Sequence, residues 1–269
     1  MLATYLNSLR EAFNRRVALV LIGIALLISV LLNSFVRIQS FPDGTDVVLM
    51  GSRSLGPAET AVPDIVEKAS SLLGTLLPLL AIFAAAPMLA STLEKGWLEL
   101  TFSKGTPRWK IFFGRFLGGA TLYSCTFLLA TFPLAYRLWW QTYVSTWQVI
   151  VALLLETLGF VALLAVAALA TLPQKGVALP IMASVAIWFF SSPLAHRYTT
   201  YYQFLNSYTA RWLVDWIYRI FPKCSELDSL SSSFIQHGHI TSWWPIWSTG
   251  IFTVAVLGLA LGMLDRKSF

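Results

Sequence analysis

One carboxylate lies deep inside a long apolar run: Glu156, in VIVALLLETLGFVALLAVAALATL. Counting about 1.5 Å per residue from Gln148 puts it roughly a third to a half of the way across a bilayer. An ionised side chain is costly there, so it faces a partner or a water-filled cavity. Two roles stay open. Glu156 could meet a cationic substrate group or gate a pathway, or it could be a protonated or hydroxyl-bonded structural group. A second constellation is His237-Gly238-His239 with Cys224 upstream. Two histidines at i,i+2 and one thiol fall short of a zinc ligand set, so no metal site is expected. Intramembrane catalysis needs nucleophiles, bases or ligands that converge. The chain contains no H-E-x-x-H and no G-x-S-x-G, so an intramembrane enzyme is the weakest reading. It has no G-x-x-x-x-G-K-[ST] loop, and GSRSLGPAET around Gly51 lacks the lysine that would reach a phosphate.

The elements that must position these groups are membrane helices. The 269 residues are 57% hydrophobic and 12% charged, with mean hydropathy +0.68. A soluble domain carries about a quarter of its residues as charges. The formal charge of +6 matches Lys and Arg held on the cytoplasmic side of a membrane protein, and no nucleic-acid partner is expected. Cys125 and Cys224 make no disulfide framework and are expected free. About six runs reach the ~20 residues that span hydrocarbon: 17–36, 70–92, 111–135, 148–172, 177–195 and 244–264. Together they form a single transmembrane domain over residues 1–269, an all-α integral membrane protein.

Basic residues set the expected orientation. An even number of spans puts Arg10, Arg15, Arg16, Lys95, Lys104, Arg108, Lys110, Arg115, Lys175, Arg266 and Lys267 on one side in short segments, so both termini are expected in the cytoplasm. Trp139, Trp140, Tyr143, Trp147, Trp243, Trp244 and Trp247 form a belt at the other boundary. Leu2, Leu6, Leu9 and Phe13 recur at helical spacing, as in a helix lying flat in the interface. The apolar run after them is too long for a signal-peptide core and is read as retained. The loop 37–69 is mixed and turn-rich around Pro42-Asp43-Gly44 and reads as a solvated loop that could meet an extracytoplasmic partner. In the loop 196–243, Arg211, Asp215 and Arg219 can form an i,i+4 ionic stripe. Leu205, Tyr208, Trp212 and Trp216 line an aromatic one. Such a helix anchors at the outer leaflet or dips into it, and Trp212 and Trp216 could close the exit of a pathway. Gly114-x-x-x-Gly118 and Gly258-x-x-x-Gly262 allow close helix packing or a dimer contact.

The charges are concentrated in Glu94–Arg115, EKGWLELTFSKGTPRWKIFFGR. Lys104-Gly105-Thr106-Pro107 makes a turn. Thr106 is placed to cap the next helix, and Pro107 suits its first turn. The product is an amphipathic helix–turn–helix elbow able to pass a partner's motion to the third span. This segment resembles the first cytoplasmic elbow of ABC-2 type permeases, whose pattern runs E-R-E-x-G-T-L-E-L-L-L-S-x-P-x-S-R-x-x-I-L-L-G-K. Gly96, Leu98, Glu99, Leu100, Ser103, Arg108, Ile111 and Gly114 fall into register without a gap. Trp97 stands where Thr is usual, Gly105 for Pro, Pro107 for Ser and Arg115 for Lys. The tail WIYRIFPKCSELDSL…LDRKSF is similar to the family's Y-x-x-x-P-x-x-x-x-L…F-R-R-R-D-F ending.

The resemblance implies a type V-like fold with an N-terminal interfacial elbow helix, a cytoplasmic coupling helix between spans 2 and 3, and outer interfacial or re-entrant helices between spans 5 and 6. It implies a non-catalytic permease, working mostly outward, that pairs with a second permease copy or a homologous permease. ATP and magnesium would be bound by a separate ATPase dimer, with no cofactor in this chain. Glu94, Gly96, Trp97, Glu99, Pro107, Arg108 and Trp109 would make the ATPase contact. The location implied is a prokaryotic plasma membrane, the inner one in a Gram-negative cell. The alternative is a permease-like scaffold that assembles or matures an extracytoplasmic system. The substrate is not legible.

Overall fold

The computed structural model describes residues 2–14, 16–41, 44–49, 53–90, 107–173, 176–204 and 207–266. Ten helices and one small sheet are described: α1 Leu2–Asn14, α2 Val17–Phe35, β1 Val36–Phe41, β2 Gly44–Leu49, β3 Arg53–Pro57, α3 Ala58–Ala90, α4 Arg108–Thr142, α5 Gln148–Ala170, α6 Ala178–Ala195, α7 Arg197–Thr200, α8 Tyr208–Ile220, α9 Cys224–His237 and α10 Trp244–Arg266. Six of them, α2 to α6 and α10, are long and apolar enough to cross a bilayer, as in a multi-pass membrane protein.

Two boundaries depart from expectation. The second span begins at Ala58, not near residue 70, because AETAVPDIVEKAS continues the helix with Ala58, Ala61, Val62, Val66 and Ala69 buried on one face. The third runs to Thr142, seven residues past its expected end. Tyr143 closes it in the left-handed region (φ 57°) with its N–H donated to Trp139 O at 2.8 Å. The loop 37–69 is not a plain connection either. Residues 36–57 form an antiparallel meander in the order β1-β2-β3, pairing Val36 with Leu49 and Ile38 with Val47. An all-α description therefore misses a sheet built from β-branched residues in a loop too polar to be a span.

Helix α5 is the central post. It packs against α3, α4, α6, α9 and α10, and Phe160, Leu164 and Ala168 are fully enclosed beside Leu77, Tyr123 and Ala260. At the sheet end of the bundle Val36, Val62, Leu138, Val149 and Ile235 share a second cluster. At the opposite end, which holds the N-terminus, α1 lies along the start of α4. Thr4 Oγ1 donates to Lys110 O at 3.2 Å and Ser8 Oγ to Gly114 O at 3.3 Å. The two glycines of Gly114-x-x-x-Gly118 make this approach possible. A Cβ on Gly114 would stand 2.6 Å from Thr4 Oγ1, and one on Gly118 would run into Ser8 Oγ. The motif thus serves the docking of α1. Gly258 and Gly262 of the other motif have nothing within 4 Å.

This difference is testable in detergent. Gly118→Ala should lower the thermal unfolding midpoint, overpacking costing about 1–3 kcal/mol and each kcal/mol moving the midpoint by ~2–4 °C. Gly262→Ala should leave it unchanged or raise it slightly, since alanine gains up to ~1 kcal/mol over glycine in a helix.

Candidate functional site

Glu156 sits two turns into α5, 5% exposed, on the wall of a cavity of about 410 Å³ between α3, α5, α6 and α9. Facing it at hydrogen-bonding range is Asp228 of α9. Two carboxyl groups bond directly only by sharing a proton, since a carboxylate has no donor. Ser71 donates to Asp228 Oδ2 at 3.4 Å. Glu156 Oε1 and Asp228 Oδ1 have no donor among the described residues. Gly74 supplies the room: a Cβ there would lie 2.7 Å from the Glu156 Cδ and Oε2. Tyr123, fully buried and stacked on Phe160 at 4.3 Å, is within electrostatic reach of both acids, and its hydroxyl is likewise unpartnered among the described residues.

Asp228 reaches this depth because α9 enters the bundle. Its apolar stripe Leu227, Leu230, Phe234 and Ile235 is buried. The Cys224 thiol donates to Gly159 O at 3.7 Å, while Ile235 clusters with Val149. Those two positions on α5 are ten residues, or ~15 Å, apart. The corner before α9 is pinned by Lys223, 3% exposed, whose Nζ donates to Ser248 Oγ at 2.8 Å and Tyr218 O at 3.2 Å. Gly238 ends α9 at φ 73°, a backbone conformation that favours glycine.

Other sequence-derived candidates lie elsewhere. Trp212 and Trp216 are half-exposed on α8, 5.7 Å apart, and do not line the Glu156 cavity. In the expected ionic stripe of α8, Asp215 is engaged by Arg197, outside that helix, at 2.9 Å. Pro107 is exposed and occupies the cap position, one residue before the first turn. Trp109 is exposed, with Lys110 Nζ 5.7 Å from its ring. Arg108 opens α4. Glu94, Gly96, Trp97, Glu99 and Thr106 fall outside the described residues. His237 Nδ1 lies 3.2 Å from Ser233 O and His239 Nδ1 3.2 Å from His237 O, both exposed. Cys125 and Cys224 are free.

Two residues escaped the sequence reading. Arg115, buried in α4, binds Glu11 of α1 at 2.8 Å and Met88 O of α3 at 2.7 Å. Its signal was available, since it occupies the basic position of the elbow pattern. Asp228 had only the apolar period of α9 to announce it. Compared with known proteins, the chain matches no family model, and no curated protein matches it.

Two tests follow. Glu156→Leu should cost about 1–3 kcal/mol by removing the carboxyl beside half-buried Asp228, which keeps only Ser71. A double-mutant cycle with Asp228→Leu should then show coupling above about 0.5 kcal/mol, read from denaturant unfolding in detergent. At α8, the Tyr202 hydroxyl, and after it Arg197, holds Asp215 below its ordinary value of 3.8. A depressed acid stabilises the fold fully above its unfolded value, and that contribution is lost as pH falls from there through its lower folded value. The contact of α8 with Arg197 should therefore hold above about pH 4 and loosen below, and Asp215→Asn should remove this acid step in tryptophan emission.

Proposed function

We propose that the chain is the permease subunit of an ATP-driven exporter of the ABC-2 type, working as a pair with a second permease and powered by a separate ATPase. The observation that carries this reading is the Glu94–Arg115 segment, where eight residues follow the elbow pattern between two spans. The six apolar helices agree with it, as does α1 docked at the start of α4. The concentration of Lys and Arg at the N-terminal end of the bundle supports a cytoplasmic position for that end. The aromatic residues at the sheet end suit the outer interface.

On this reading, α1 is the interfacial elbow helix, and residues between Ala90 and Pro107 enter a cleft on the ATPase. Closure of the ATPase pair pushes on the junction of α3 and α4. Arg115 transmits the push, because its guanidinium joins the end of α3, the start of α4 and α1. Rocking of the permease halves then alternates access to a pathway. Helices α8 and α9 are the outer interfacial and inserted elements.

The test is co-purification from native membranes. An ATPase with a phosphate-binding loop should accompany the tagged wild-type chain, and its recovery should fall at least fivefold with Glu94→Arg or Arg108→Glu at unchanged chain level. Equal recovery with the variants would refute the coupling role.

A further inference from the structure

The cavity at Glu156 is rich in acceptors. Neither lysine nor arginine lines it, and the two carboxyls keep one free oxygen each among the described residues. Two prolines add to this. Pro78 in α3 and Pro193 in α6 both line the cavity, and a proline has no N–H for the carbonyl four residues back. Those carbonyls belong to Gly74 and Phe189, also in the cavity wall. Unpaired acceptors in an apolar surrounding favour a ligand that brings donors and positive charge. A metal ion fits poorly, because no group of three or more His, Cys, Asp or Glu is assembled among the described residues.

Phe160, Leu163, Trp188 and Phe189 give the wall an aromatic and apolar part, beside the hydroxyls of Thr75, Ser192 and Ser225. Aromatic faces attract organic cations, and the volume suits a small organic molecule. Access is sideways. Thr75 on α3 and Phe189 and Ser192 on α6 are exposed at the rim, and both helices are spans, so the opening lies on the flank of the bundle, within the bilayer's thickness. A ligand that arrives there must partition into lipid.

The geometry points to a binding site for a lipophilic primary or secondary ammonium ion, its N–H groups on Glu156 and Asp228 and its apolar body between α3 and α6. This deepens the permease reading by naming its substrate class and rests on it only for the direction of transport. The ammonium could belong to a free amphiphilic amine or to an aminophospholipid headgroup. The absence of a lining cation to meet a phosphate favours the free amine.

The full chain in phosphatidylcholine nanodiscs, without ATPase, provides the test. Labelled dodecylammonium should bind saturably, and dodecanol should not compete. Glu156→Gln with Asp228→Asn should weaken binding at least tenfold while the unfolding midpoint stays within a few degrees of wild type. Should that variant not fold, Ser192→Cys in a Cys125→Ala, Cys224→Ala background gives a second measurement at the rim. Dodecylammonium should slow its alkylation by a maleimide at least threefold, and dodecanol should not. Replacing part of the lipid by phosphatidylethanolamine distinguishes the sources: no effect supports the free amine, and competition assigns the site to the headgroup. Equal binding by the double variant, or no protection at Ser192→Cys, overturns the site even if an ATPase co-purifies. If no ATPase accompanies the wild-type chain while amine binding is intact, the exporter reading alone is overturned.

Discussion

The buried guanidinium of Arg115 ties the N-terminal end of the bundle together. It is 2% exposed in a helix long and apolar enough to cross a membrane, so water cannot solvate it and the protein must. Two partners do so. Glu11 brings in α1, and the carbonyl of Met88 brings in the last turn of α3. Removing one side of such a pair leaves a charge stranded in apolar surroundings, at about 3–5 kcal/mol. The seating of Thr4 and Ser8 on Gly114 and Gly118 then follows from where Arg115 holds Glu11.

The sheet end obeys the same rule with different residues. Lys223 is nearly as buried as Arg115 and is satisfied by Ser248, the carbonyl of Tyr218 and the Tyr218 ring 4.3 Å away. Arg197 finds Asp215 and the Tyr218 ring. Each of these cations has its partners within the chain and fixes one element to another. Glu156 and Asp228 differ: they lie side by side on the wall of a cavity and retain free acceptor atoms among the described residues. A satisfied buried charge is explained by the fold it holds. An unsatisfied one costs stability that packing alone does not recover, and this separates the carboxyl pair from the ionic contacts around it.

How far these features could be read in advance depended on the range of the interaction. Spans are local, and five of the six began within three residues of where hydropathy put them. The exception, α3, starts at Ala58 because Glu59, Asp64, Glu67 and Lys68 dilute the hydropathy while Ala61, Val62 and Val66 keep the helical period. A scan for apolar runs misses that amphipathic extension, although the period was present. The depth of Glu156 was legible for the same local reason. Its partner was not: Asp228 lies 72 residues away, on a helix whose insertion depends on the corner at Lys223, and no spacing rule connects the two. Tyr123 and Gly74 belong to the same class, being ordinary residues made unusual only by what packs on them.

Helix α3 links the two ends. Met88 meets Arg115 near its last turn, and Gly74 lies under the Glu156 carboxyl 14 residues earlier, ~21 Å along the axis. Between them stand Pro78 and Pro87, and Pro78, on the cavity wall, cannot donate to the carbonyl of Gly74. Across the rim α6 carries the same defect, with Pro193 following Phe189 by four residues. Proline is tolerated in a membrane helix when nearby groups compensate the lost hydrogen bond. Here Gly74 and Phe189, whose carbonyls have no proline N–H to accept from four residues on, line the same cavity as the carboxyl pair, and a bound ammonium would bring donors to that one place.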